Sequence, residues 1–376
     1  MLIYEYKLDA NKAQYAAIDE AIRITQFIRN KCLRKWMDED RVNKNDLQCY
    51  CAVLSKEYSF ATLLNSQARQ AAADRAWFAI SRFYDNCKTH KPGKKGYPQF
   101  QHDNRSVEYK TTGWKLDSDG KHITFMDGCS IGRVRLIGTR DIMTFPLRQI
   151  KRVRLLRRAD GFYCQFAVLI DRVIEHVPTG KQVGIDVGLK SFYTNSEGNT
   201  AQNPRYLRKA EKKLKRLHRR LSKTQKKSKN RQKARKRLAK AYLKVNRQRE
   251  DFARKTASAL VTSHDLIAYE DLKIHNMVRN RRLAKSMSDA AWGMFRRWLT
   301  YYAALHAIPA IAVAPHFTSQ NCSACGTVVK KSLSVRTHVC PACGIVLDRD
   351  ENAAHNILAK ALGCTDGQSG TGTLAV

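Results

Sequence analysis

Val183-Gly184-Ile185-Asp186-Val187-Gly188 is an apolar run of strand length that closes on a carboxylate and a glycine turn. A second strand, Ser191 to Tyr193, leads to Asn195-Ser196-Glu197-Gly198-Asn199, a hairpin-like turn. Further along, Leu266-Ile267-Ala268-Tyr269-Glu270-Asp271 repeats the form, a short apolar strand ending in carboxylates. A third acid, Asp350, stands in Asp348-Arg349-Asp350-Glu351-Asn352-Ala353-Ala354, at the start of a last helix expected from about Glu351 to Leu362. Carboxylates at two strand ends and one helix start can meet over a sheet and hold two Mg²⁺ ions, the arrangement that phosphodiester cleavage needs. Each acid also has a plain reading: Asp186 as a turn former, Glu270 as a strand-end solubiliser, Asp350 as a helix N-cap. Asp271 and Asp348 are the neighbours most easily confused with the ligands.

Between the two apolar strands lies the most charged segment of the chain. From Arg205 to Lys255 there are 24 Lys/Arg and three acids, a net of +21 out of +36 for all 376 residues. Apolar residues still recur at heptad spacing, Leu207, Ala210, Leu214, Leu217 and Leu221, then Ala234, Leu238, Ala241, Val245 and Phe252. Polar residues from Lys223 to Asn230 separate the two series. The pattern predicts a helical hairpin with a narrow apolar seam and a basic exterior. With so little acid to pair, that exterior points to phosphate contact rather than to an ordinary solvated face.

Ahead of this half, residues 11 to about 84 read as helices, with apolar positions at Ala17, Ala21, Ile24 and Ile28, and at Ala72, Ala76, Ala79, Ile80 and Phe83. Lys88 to Gly96 breaks the pattern with Pro, Gly and positive charge. Residues 107 to 174 then change to a period of two, which predicts a small antiparallel β domain, with Met1 to Leu8 as its first strand and the helices inserted into it as into a barrel. Asp171 to Lys181 reads as a linker. Beyond Glu270 an amphipathic helix is expected from Asp289 to His306 and a strand from Ala310 to Ala314. The Gly/Ser/Thr-rich residues 363–376 read as a disordered tail.

Eleven cysteines, an odd number, include Cys322-Ser-Ala-Cys325-Gly and Cys340-Pro-Ala-Cys343-Gly. Two such pairs, fourteen residues apart, form a zinc ribbon whose four thiolates complete a tetrahedral, structural Zn²⁺ site. His338 is superfluous to that shell. The cysteine usage points to a reducing cytoplasm and not to a disulfide framework. No apolar run approaches the roughly 18 residues of a membrane span, and the N-terminus lacks a signal-peptide layout. With 43% hydrophobic residues, the chain is not a disordered basic tail.

The ordered set Gly184-Ile-Asp186-Val-Gly-Leu, basic helical pair, Tyr269-Glu270-Asp-Leu, Thr318-Ser-Gln-Asn-Cys322-Ser-Ala-Cys325-Gly, Cys340-Pro-Ala-Cys343-Gly and Asp348-Arg-Asp350-Glu-Asn352-Ala-Ala resembles the TnpB proteins. These are transposon-encoded relatives of the type V CRISPR effectors. More loosely, Lys95-Gly-Tyr-Pro-Gln-Phe100 and Phe162-Tyr-Cys-Gln-Phe166 are also similar. The resemblance implies a multidomain α+β fold: a β-barrel wedge domain at residues 1–10 and 100–178, carrying a helical recognition insertion at 11–99. A RuvC-like nuclease of RNase H type would occupy 179–320 and 347–362, with the basic hairpin at 204–262 and the zinc ribbon inserted at 321–346. It further implies a guide RNA from the transposon end and cleavage of double-stranded DNA beside a short transposon-adjacent motif. Asp186, Glu270 and Asp350 would be catalytic and hold Mg²⁺, and Cys322, Cys325, Cys340 and Cys343 would hold zinc. Asp350 is favoured over Asp348 because the family pattern is Asp-x-Asn-Ala-Ala.

Gln67, Arg69 and Gln70 are candidates for reading the motif, since Gln and Arg make bidentate base contacts. Arg205, Lys212, Arg216, Arg219, Arg220, Arg235 and Arg247 are candidates for gripping nucleic-acid backbones. Tyr97, Phe100, Trp114 and Trp292 are candidates for stacking on bases or for core packing. A monomer loaded with RNA is expected, with a dimer left open. Two competing functions are a catalytically silent RNA-guided repressor and an RNA-independent nuclease of resolvase or transposase type.

Overall fold

The structure, a computed structural model, describes residues 1–366 apart from Asp171 and Leu333. The chain divides into two compact units, Met1–Asp171 and Arg172–Val376. Residues 367–376 of the expected tail lie outside the described residues.

Unit 1 begins with β1 (Leu2–Asp9), followed by the helices α1 (Lys12–Asp38), α2 (Lys44–Glu57), α3 (Ser59–Thr62) and α4 (Ser66–Lys88). Asn11 starts α1 with a capping box, its Oδ1 accepting the Gln14 N–H while Gln14 Oε1 accepts the Asn11 N–H. The buried face of α1 (Ile18, Ala21, Ile24, Ile28) packs on the alanine-rich face of α4 (Ala68, Ala72, Ala76, Ile80), where small side chains let the helices approach closely. Six more strands follow: β2 (Ser106–Tyr109), β3 (Trp114–Leu116), β4 (His122–Phe125), β5 (Gly132–Ile137), β6 (Ile150–Arg158) and β7 (Gly161–Val168). With β1 they form one antiparallel sheet in the order β2-β6-β7-β1-β5-β4-β3.

The first strand therefore lies in the middle of the sheet, paired Leu2↔Val168 on one side and Lys7↔Ile137 on the other. The four helices are an insertion in sequence between β1 and the rest. The sheet curls, so that Tyr109 of β2 and Phe125 of β4 have ring centroids 4.9 Å apart and the Tyr109 hydroxyl donates to Asp127. Its inner face, with Tyr6, Leu8, Val134, Leu136, Val153, Leu155 and Phe166, shares one core with the helices.

Unit 2 is mixed. Its strands β8 (Gln182–Val187), β9 (Ser191–Asn195) and β10 (Thr200–Gln202) form a meander. The long helices α5 (Tyr206–Ser222) and α6 (Lys229–Ser263) then lead to β11 (Leu266–Glu270). After α7 (Ile274–Met277), α8 (Ala284–Ala290) and α9 (Trp292–Leu305) comes β12 (Ala310–Val313). The sheet order is β10-β9-β8-β11-β12; β8, β11 and β12 run parallel, β9 and β10 antiparallel. A small hairpin of β13 (Thr337–Val339) and β14 (Val346–Asp348) precedes the last helix, α10 (Arg349–Asp366).

The two sheet faces are covered differently. Val183, Ile185 and Ile267 point to a core shared with α6 and α9, while Leu266 and Ala268 face Ile357 and Ala361 of α10. By strand alternation, Gly184, Asp186 and Glu270 belong to the α10 face. Gly184 is what lets α10 lie so close, since a Cβ there would stand 2.0 Å from the Ala354 carbonyl oxygen.

Two boundaries differ from expectation. The amphipathic helix does not begin at Asp289: Ala291 takes a left-handed conformation (φ 58°) and separates α8 from α9. Asp289 is buried and accepts the N–H groups of Leu207 (2.7 Å) and Arg208 (3.0 Å), so it satisfies the start of α5 instead. The last helix begins at Arg349 and runs to Asp366, four residues into the segment expected to be a tail. Among the described residues, no helix is long and apolar enough to cross a membrane.

Candidate active site

Asp186 is the penultimate residue of β8 and Glu270 the last of β11. These strands pair in parallel with Ile185 opposite Tyr269, so the two acids stand side by side at the strands' carboxyl ends. Asp350 enters from α10, the helix lying on that face. A Cβ added to Gly188, just beyond β8, would come within 3.8 Å of Asp350 Oδ2. The three sequence-predicted acids therefore lie near one end of the sheet, close enough for Glu270 and Asp350 to act electrostatically on Asp186, and all are half-buried. Their electrostatics agree: burial pushes the Asp186 carboxyl well above the usual range, helped by the charges of Glu270 and Asp350 and opposed by Arg349 and Arg336. Burial also raises Glu270, against the Thr318 hydroxyl and the Lys360 charge.

Asp348 and Asp350 have distinct roles. Asp348 Oδ1 accepts the Asp350 N–H at 2.8 Å, which is the capping role that sequence alone left open for Asp350. The Asp350 carboxylate is instead turned to two guanidinium groups, with Arg349 Nη2 at 2.7 Å from Oδ1 and Arg336 Nη1 at 3.1 Å from Oδ2. Asp271, the other rival, is mostly exposed and pairs with Arg296 at 2.7 Å. Sequence reasoning missed Arg336, Arg349 and Thr318. Arg349 and Thr318 both sit in quoted motifs, but nothing in spacing alone points Arg336 or Thr318 at the acids.

The four cysteine sulfurs all lie within 4.8 Å of one another. Each pair forms the same turn: Gly326 N–H donates to Cys322 O and Gly344 N–H to Cys340 O, both at 2.9 Å. Both glycines have positive φ, 76° and 75°, which the knuckle requires. The Thr327 hydroxyl and N–H hold the Cys325 thiol down at about 6. At Cys343 the Ile345 N–H pulls the other way, yet burial and the three neighbouring sulfurs push the thiol up to about 12. Four clustered thiolates without a cation repel one another, and a divalent ion removes that penalty. His338 is buried outside the sulfur cluster, with Nδ1 against the Lys331 ammonium.

On the basic hairpin, Leu214, Ala234, Leu238 and Val245 are buried along the expected seam, and Arg205, Lys212, Arg216, Arg219, Arg220, Arg235 and Arg247 are exposed. In unit 1 the Arg69 guanidinium is turned inward, donating to the Ser55 hydroxyl and the Ala61 carbonyl. Gln67 Oε1 accepts from Thr111 and Thr112, while Gln70 is half-exposed on the same helix. Trp292 is buried, Trp114 is half-buried, and Tyr97 is 53% and Phe100 38% exposed.

A family model described as "Probable transposase" matches residues 165–281, and one described as "Cas12f1-like, TNB domain" matches residues 292–357. A Streptomyces pristinaespiralis protein named "Putative RNA-guided DNA endonuclease" is 38% identical over 207 residues, 54% of this chain and 51% of that protein. InsQ of Escherichia coli K12, which carries the same description, is 29% identical over 280 residues, 70% of this chain and 68% of its own. TnpB-like protein L79 of Acanthamoeba polyphaga mimivirus is 25% identical over 234 residues, 58% of this chain and 45% of that protein. The chain thus spans about half the length of the Streptomyces relative. Among solved structures, the fold is shared with Cas12f1 in its sgRNA–target DNA complex (TM-score 0.56, 14% identity, 90% of this chain and 81% of that one). It is shared also with the mini RNA-guided endonuclease CRISPR-Cas_phi3 (TM-score 0.61, 9% identity, 98% and 94%). The two family models cover the segments that hold all three acids and all four cysteines, and the InsQ match is too long to fit within either unit. The chain is thus similar to proteins described as probable transposases, as TnpB-like and as RNA-guided DNA endonucleases.

Proposed function

We propose that the protein is an RNA-guided endonuclease that cuts double-stranded DNA beside a short transposon-adjacent motif. The observation that carries this reading is that Asp186 and Glu270 close two neighbouring parallel strands, with Asp350 of α10 brought near Asp186 on the same face. The strand order and directions of unit 2 support an RNase H-like, RuvC-type nuclease. The curled sheet of unit 1 supports a wedge barrel carrying a helical recognition insertion, and the paired cysteine knuckles support a zinc ribbon.

The donor sets fit the implied metals. Three half-buried carboxylates, one with its pKa raised by burial and by its acidic neighbours, suit hard divalent cations such as Mg²⁺, whose charge relieves that penalty; four thiolates suit structural Zn²⁺. Two Mg²⁺ ions at the acids would activate the attacking water and stabilise the leaving oxygen. The chain's own residues fix the rest. Glu270 and Asp186 are held on rigid strand ends, Asp350 is oriented by Arg336 and Arg349, and the exposed arginines and lysines of α5 and α6 track phosphate backbones. Sequence is then read by pairing between a guide RNA from the transposon end and its DNA target, and the protein reads only the adjacent motif.

Relatives named as RNA-guided DNA endonucleases, and a fold shared with guide-bound Cas12f1, support RNA and DNA as partners. The test is to express the gene with its native flanking DNA and sequence the RNA that copurifies. A discrete transcript that directs cutting of a matching plasmid is expected. Cutting of duplex DNA by RNA-free protein would favour the resolvase-type alternative.

A further inference from the structure

Three α10 side chains, Asn352, Asn356 and Lys360, are spaced at i, i+4 and i+8 and so share one helix face. All three hold the backbone of a single loop. Asn352 Nδ2 donates to the Asn321 carbonyl (2.8 Å), and its Oδ1 accepts the Ser323 N–H (2.9 Å). Asn356 Nδ2 donates to the carbonyls of Thr318 (2.8 Å) and Asn321 (2.7 Å), and Lys360 Nζ to those of Ala314 (3.4 Å) and His316. The loop so held contains a strained residue, Phe317, with φ 61° and an exposed ring. The next residue, Thr318, is 3% exposed, and its hydroxyl donates to Glu270 Oε1 at 2.5 Å; a second acceptor, Pro315 O, is 3.2 Å away. The hydroxyl has one proton, and the shorter, charge-assisted bond goes to the carboxylate.

We propose that Thr318 is a positioning residue for the carboxylate site. Its hydroxyl occupies one oxygen of Glu270 and sets the rotamer, which leaves the other oxygen for a divalent ion. The 352/356/360 face of α10 fixes the loop that delivers it. The same helix carries Asp350, so one rigid element places both an acid and the support of another. This inference deepens the reading of Asp186, Glu270 and Asp350 as a divalent-ion site and rests on it.

The test measures Mn²⁺ binding to RNA-free protein by the free-ion electron paramagnetic resonance signal, with zinc content as a folding control. Thr318→Val is expected to weaken Mn²⁺ binding about tenfold or more, as loss of an outer partner of a metal ligand does, and to raise the Mg²⁺ concentration for half-maximal cleavage in parallel. Thr318→Ser, which keeps the hydroxyl, is expected to restore both. Should Thr318→Val lose zinc or fail to fold, Thr318→Ala carries the same expectation. Wild-type Mn²⁺ affinity in a folded Thr318→Val or Thr318→Ala protein, or equal loss in Thr318→Ser, overturns the proposal alone. Wild-type protein binding no more Mn²⁺ than Asp186→Ala overturns the carboxylate reading beneath it.

Discussion

Asp186 is under opposing demands: the proposed divalent-ion site needs its negative charge, and its surroundings penalise that charge. Because its pKa in the folded protein lies above the ordinary carboxylate value, the folded state holds the proton more tightly than the unfolded one between the two values. The corresponding stability is present in acid and is lost as pH rises above about 4. Asp186→Asn should therefore abolish cleavage in Mg²⁺ and, in protein freed of Mg²⁺ but retaining zinc, raise the thermal midpoint at neutral pH by about 2–4 °C for each kcal/mol relieved. Added Mg²⁺ should stabilise wild type and leave the variant unmoved; calorimetry with and without Mg²⁺ checks both. Identical midpoints for the two proteins at pH 7 would mean that burial and the neighbouring acids do not penalise the Asp186 charge as described. At this scale the three acids were legible because each closes an apolar run or opens a helix in a chain poor in acids. Arg336 and Thr318 were not, since their link to Asp350 and Glu270 exists only after the chain has folded back on itself.

Among the elements, the contact of α10 with β8 matters most, and Gly184 is its condition. Gly184→Ala would drive a methyl group into the Ala354 carbonyl and the Leu358 N–H, so the helix must lift. A loss of about 1–3 kcal/mol or more is expected in chemical denaturation, together with weaker Mn²⁺ binding, because Asp350 rides on that helix. Unchanged stability would show that the helix tolerates displacement. Cys325→Ser should reduce bound zinc, read by elemental analysis, and destabilise unit 2 while leaving the helices of unit 1 intact. Strand β8, strand β11 and the basic hairpin were readable from periodicity, because each keeps one pattern along its length. The break at Ala291 and the true start of α9 were not, since a left-handed alanine has no local signature and its reason is tertiary. Asp289, read as the opening of an amphipathic helix, is drawn off to satisfy α5 at Leu207 and Arg208, 82 and 81 residues earlier in the chain. The curled sheet of unit 1 was legible as a period of two, but the central place of β1 depends on pairings with residues 135 to 168 that no local pattern reveals.

For the whole molecule, a net charge of +36 predicts that the proposed nucleic-acid binding weakens steeply with salt. Replacing Lys212, Arg216, Arg219 and Arg220 with Gln should flatten the slope of log affinity against log salt by up to about 1 per phosphate contact removed. Filter binding between about 50 and 200 mM salt reads this change; an unaltered slope would show that the exposed face of α5 touches no phosphates. The most direct measurement of the central claim is cleavage of a plasmid carrying the guide-matched sequence and adjacent motif by RNA-loaded protein in Mg²⁺. Wild type should linearise the plasmid, whereas Asp186→Ala, Glu270→Ala and Asp350→Ala should each bind it with undiminished affinity and leave it intact. Linear product from any of the three variants, at the wild-type rate, would contradict the account.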